Sequence, residues 1–298
     1  MLLQLFAAEW LKLRRRPLSW GLLAVFLGLQ TLTLGLWTLV VAFQQGAIGG
    51  VQIEALGPAQ LEQIRRQLSF PGIFGAVLGQ LNSTGGILAI LLAAGSLGGD
   101  YSWGTLRALM ARAPDRGAYL GAKVLALMLA VLLAALLALG LGSLLALLVS
   151  AWLALPSQVG LTDLLALPLG LGRAMLVILP YVLLTLAAGA YGRSTLAGVG
   201  GGLSFLALDV SAGSLGSLGA VNDLVLFMVN FLLQPNINTL VVQNAAMFGL
   251  DQSVLASALD LASLPSPLQA ILVVSSYCGL FGWMAWRSLT RRDILGAQ

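Results

Sequence analysis

Long apolar runs alternate along this chain with short stretches in which polar and charged residues collect. The runs are continuous, without the two-residue alternation of barrel strands. Most reach the ~20 residues that a helix needs to cross a bilayer. They predict six crossings, over about 18–43, 73–97, 119–148, 171–191, 195–212 and 268–286. The third run is longer than one crossing requires, so tilt or an extension past the membrane must absorb the excess.

The connections are uneven. Residues 1–17 form an amphipathic segment. Leu2, Leu3, Leu5, Phe6, Trp10 and Leu13 supply its apolar side, and Glu9, Lys12, Arg14, Arg15 and Arg16 its wet side. It reads either as an interfacial helix or as an ordinary basic flank, and Pro17 separates it from the first span. Residues 44–71 form an external loop with a short helix near 58–68. Asp163 falls in a short loop bounded by Pro156 and Pro168, and Pro180 predicts a kink in the fourth span. Gly192-Arg193-Ser194 is a tight turn into a glycine-rich fifth span. Residues 213–267 make a long external or partly re-entrant segment. Within it, Leu224 to Leu233 is apolar over only half a bilayer thickness.

Composition turns this pattern into a class. The 298 residues are 59% hydrophobic and 9% charged, with a mean hydropathy of +0.95. Soluble domains carry about a quarter charged residues. A water-soluble fold would leave almost no polar surface, so the expected fold class is an all-α polytopic membrane protein. The first apolar run, after Lys12 and Arg14 to Arg16, is too long for the core of a signal peptide and predicts a retained span. With both termini in the cytoplasm, only Arg65, Arg66 and Arg173 of the 15 basic residues face outward. The reverse orientation would violate the positive-inside rule. The net charge of +4 therefore reflects topology and membrane lipid, not nucleic acid.

Candidate chemistry is sparse. No histidine is present, and the single cysteine, Cys278, excludes an internal disulfide. Gly117 to Lys123 lacks the glycine spacing and the following Ser or Thr of a phosphate loop, which leaves the chain without a nucleotide site of its own and predicts no enzyme activity or bound cofactor. Asp209, in the fifth span, either marks the interface or contributes with Pro180 to a gate or path. The 36 glycines suit close helix contacts or fill a Gly/Ala-rich composition, and Trp20, Trp283 and Trp286 suit an aromatic belt.

The stretch 99–117 is the most informative connection. It carries Asp100, Trp103, Gly104, Thr105, Arg107, Arg112, Pro114 and Arg116, and Lys123 follows. The pattern reads as a short cytoplasmic helix stopped by Pro114, or as a plain basic loop. Together with Glu9, Trp10, Lys12, Arg14 and Arg15 at the start, and the tail Arg291-Arg292-Asp293-Ile294, it resembles the stand-alone membrane subunits of bacterial ABC-2 type ABC transporters. The family's loop after the second span usually begins with Glu; here Asp100 keeps the charge on a shorter arm. The resemblance implies a coupling helix at 99–117 that receives force from cytoplasmic ABC ATPase subunits. ATP and magnesium would belong to that partner. It also implies a second copy of this chain or a similar permease, location in the bacterial cytoplasmic membrane, and export. A secondary carrier or channel, and a non-transport assembly or sensory subunit, are the competing readings.

Overall fold

The structure is a computed structural model that describes residues 2–48, 56–104, 115–213, 223–251 and 264–291. Among these, every regular element is helical. In chain order they are α1 (Leu2–Arg15), α2 (Pro17–Gln44), α3 (Pro58–Gln67), α4 (Gly72–Gln80), α5 (Gly86–Ser102), α6 (Arg116–Leu153), α7 (Leu161–Gly192), α8 (Thr195–Gly213), α9 (Asp223–Val229), α10 (Leu233–Met247) and α11 (Pro267–Arg291). A π-turn over Leu81–Gly85 joins α4 to α5, so the two form one continuous rod. Six helices are long and apolar enough to span a membrane: α2, the α4–α5 rod, α6, α7, α8 and α11. The chain is a polytopic helical membrane protein.

Local sequence sets the element ends. Pro17 forces Arg16 into extended backbone (φ −82°, ψ 126°), which breaks α1 from α2. Asp115 caps α6 by accepting the N–H groups of Gly117 and Ala118. Gly104, at φ +65°, stops α5 in the left-handed conformation common at helix ends. Helix α6 is 38 residues long, about 57 Å at the standard rise. It therefore exceeds a hydrocarbon core of ~30 Å, as the length of its apolar run requires.

Two expectations change. Asp163 is not in a loop: α7 begins at Leu161, and the Asp163 carboxylate accepts the Gly160 N–H at 2.8 Å in the first helical turn. A carboxylate there complements the helix dipole, and Pro168 lies within the helix. In the long segment after α8, a second helix, α10, lies beyond the apolar stretch 224–233. Asn236 and Leu240 of α10 are fully buried. The helix packs against α4, α7 and α11. Its own composition is only mildly apolar, so the three neighbouring helices decide its burial.

The bundle is held by close approaches and by a few internal polar links. Helix α7 packs against α5, α8 and α11 near its centre. A side chain at Gly98 would run into the backbone of Thr195, at the start of α8. One at Gly202 would meet Thr185 and Ile90. Between α2 and α6, the buried Gln30 donates to the Ala138 carbonyl at 2.8 Å. With no hydrophobic drive between helices inside lipid, contact shape and such hydrogen bonds select the neighbours.

Gly98 and Gly28 offer a test. Gly98→Ala pushes α5 off the α7–α8 turn and is expected to cost about 1–3 kcal/mol, the range for overpacking. Gly28→Ala, with no atom near its new methyl, is expected to be neutral. Thermal unfolding in detergent measures both.

Candidate functional site

At the end of the bundle where α1 lies, charged side chains meet inside the protein. Lys123, in the second turn of α6, is fully buried and holds three partners. Its ammonium donates to Asp100 Oδ2 at 2.7 Å, to Glu9 Oε2 at 2.5 Å and to Ser96 Oγ at 3.1 Å. Tyr119, one turn earlier on the same face, donates its hydroxyl to Asp100 Oδ2 at 2.7 Å. Lys12 bridges Glu9 Oε1 at 2.6 Å and Asp100 Oδ1 at 3.4 Å. Arg16 reaches Asp100 Oδ1 at 3.2 Å, and its other terminal nitrogen donates to the carbonyls of Gly95 and Ser96.

This arrangement follows from helical spacing. Glu9, Lys12 and Arg16 lie three and four residues apart on α1 and at its end. Ser96 and Asp100 are four apart on α5, as are Tyr119 and Lys123 on α6. Three polar stripes thus converge from three helices. The Pro17 break turns Arg16 toward α5, and Gly99 leaves room for its guanidinium, whose atoms lie 3.3 Å from where a Cβ would stand. Burial of ions costs several kcal/mol each, and only near-complete pairing compensates. Here each buried carboxylate has at least two cationic partners.

The described residues on either side of 105–114 are each held to the bundle. Before it, Trp103 is exposed and the Arg16 guanidinium lies over its ring at 5.1 Å. After it, Arg116 donates to the carbonyls of Leu289 and Thr290 at 2.8 and 2.9 Å, capping the last turn of α11. Thr105, Arg107, Arg112 and Pro114, the middle of the expected coupling helix, lie outside the described residues.

The structure thus sorts the residues singled out in the sequence. It brings Glu9, Lys12, Asp100 and Lys123 together, with Trp103 beside them. Glu9 changes sides: it is 2% exposed and belongs to the buried face of α1, because Lys123 and Lys12 draw it inward. Arg14 and Arg15 stay exposed, and Trp10 is half-buried. Arg116 and Gly104 end helices. Tyr119, Ser96 and Arg16 complete the cluster. Their i, i+4 register with Lys123, Asp100 and Lys12 was the available sequence signal.

Asp209 lies in a separate cluster. It is buried, accepting the Tyr181 hydroxyl at 2.6 Å and the Gln234 backbone N–H at 3.0 Å. Since Gln234 is in the first turn of α10, Asp209 caps that helix from α8. It tethers α7, α8 and α10 to one another. Pro180, also buried, sits one residue from Tyr181 within α7.

No family model, curated protein or solved structure matches this chain. The fold and site define a six-span helical membrane protein with an ion network at one end.

Lys123→Met removes the fully buried partner of Glu9 and Asp100, leaves them only the partly exposed Lys12 and Arg16, and is expected to destabilise the protein by about 2–4 kcal/mol. Arg15→Gln, on the exposed side of α1, is expected to stay within about 0.5 kcal/mol. Chemical denaturation followed by tryptophan fluorescence compares the two.

Proposed function

We propose that this chain is the membrane-spanning permease subunit of an ATP-driven ABC-2 type exporter, powered by a separate cytoplasmic ATPase. The observation that carries the reading is the ion network joining α1, α5 and α6 around the ends of the 105–114 segment. A segment that receives force must be mounted stiffly, or displacement is lost in the mount. Hydrogen-bonded ion pairs shielded from water resist shear better than exposed, screened ones. Asp100 and Lys123 give this segment such a base, and the capping of α11 by Arg116 adds a second route into the bundle.

In this reading the basic end faces the cytoplasm of a bacterium, in accord with the distribution of Lys and Arg. Two cytoplasmic ATPase subunits bind ATP and magnesium and grip the coupling helices of two permeases, either two copies of this chain or this chain and a similar one. Closure of the ATPases pushes on residues 100–113. The push travels along the α4–α5 rod and α6, whose contacts with α7 and α2 convert it into rearrangement of the path. Arg107 and Arg112 supply positive charge toward acidic groups on the partner. The chain transmits force and hydrolyses nothing.

Replacing residues 105–113 with a Gly/Ser linker is expected to leave the bundle folded and abolish recovery of an ABC ATPase with the tagged chain from mild detergent. Partner identification and ATPase assay read the result. Substrate transport by the purified, folded chain in liposomes with no ATPase would overturn the reading in favour of a carrier or channel.

A further inference from the structure

A cleft opens between the α1–α2 joint, the π-turn with α5, and α6. It measures about 330 Å³ and is walled almost wholly by apolar side chains, among them the buried Phe26 and Leu81 and the exposed Leu137. Its mouth is different. Arg14, Trp10 and Trp20 stand there, and the Trp20 indole donates to the Arg14 carbonyl at 2.8 Å. Ser19 lines the same mouth, and its hydroxyl oxygen is buried without any hydrogen-bond partner.

We propose that this cleft is a binding site for one anionic phospholipid. Two observations fix the occupant. The depth is apolar, and in a bilayer the molecules next to an apolar cleft are acyl chains. The mouth is basic: Arg14 is exposed, Arg15 follows it, and no acidic residue lines the cleft. From Ser19 to Phe26 the wall runs seven residues along α2, about 10 Å at the helical rise, so the chain lies along the helix. Trp10 and Trp20 line the cleft with Arg14, and aromatic residues favour the headgroup level.

Leu13, between Lys12 and Arg14, is also a wall residue of the cleft. A bound lipid therefore supports the face of α1 that neighbours the ion network. This assignment stands independently of the transport reading, since a carrier or sensory subunit with the same cleft would hold the same lipid.

The full chain is reconstituted in nanodiscs of phosphatidylcholine in which a minority of the lipid carries brominated acyl chains, on either phosphatidylglycerol or phosphatidylcholine. Bromine quenches tryptophan on contact. Brominated phosphatidylglycerol is expected to quench more strongly, and Trp10→Phe with Trp20→Phe should remove the excess. Arg14→Gln is expected to weaken the preference about fivefold in apparent affinity, the scale of one basic residue at an anionic surface. Ala134→Phe, which fills the cleft while keeping Arg14 and adds no tryptophan, should abolish the excess too. Circular dichroism and gel filtration establish that each variant is folded. Equal quenching by both headgroups would overturn the proposal. So would a preference that survives Ala134→Phe, which would place the lipid on the general surface of the protein.

Discussion

The Lys123 ammonium is the point on which one end of the bundle depends. It sits in α6, beyond the reach of water, and pairs there with Asp100 of α5 and Glu9 of α1. For each carboxylate the lysine is the most deeply buried of its cationic partners. The three helices are therefore fixed to one another by a mutual requirement, which is more exacting than apolar contact. Leucine against leucine tolerates a slide of an ångström or a rotation, and lipid competes for the same surface. A buried ion pair tolerates neither, because its compensation falls away as the geometry degrades.

The rest of this end is arranged to make that meeting possible. Pro17 ends α1 and places Arg16 at the joint. Glycines at 95 and 99 on α5 let the joint approach: a side chain at Gly95 would collide with Leu18, and one at Gly99 would press on Arg16. The same helix turns Gly98 toward the α7–α8 turn. Residues 95–100 thus serve two neighbours at once, with small residues where backbones meet and Asp100 where charge is satisfied. Displacement of α5 would be felt by α1, α6, α7 and α8 together, which is the property a force-receiving element needs.

The second half of the chain solves a comparable problem with fewer charges. Asp209 links α8 to α10, and Tyr181 of α7 holds its other oxygen. Around it, Gln234 donates to Asn238 of α10, and the Asn236 amide holds the carbonyls of Asn230 and Leu232. These bonds let a helix of 15 residues that carries three asparagines lie within an apolar bundle. Too short to cross the bilayer, it rests on full-length neighbours, and backbone polar groups at its ends are satisfied by protein.

The sequence by itself determined the class, the number of crossings and most of their positions. Continuous apolar runs of bilayer length have no other stable environment, and that signal is local. It also marked Asp100, Lys123, Glu9 and Lys12 as noteworthy, since charge is rare in this chain. What it left open was which of them faces inward. Glu9 on a short amphipathic helix reads as a wet residue until Lys123, 114 positions later, is placed beside it. Asp163 read as a loop residue because the prolines flanking it punctuate the pattern, yet a carboxylate in the first turn of α7 is stabilised by the helix it begins. Helix α10 was hidden because its burial is supplied by α4, α7 and α11 and is not written in its own periodicity. Only the tertiary structure decided these, because the energy of a buried charge or amide resides in its partners, and those partners come from distant parts of the chain.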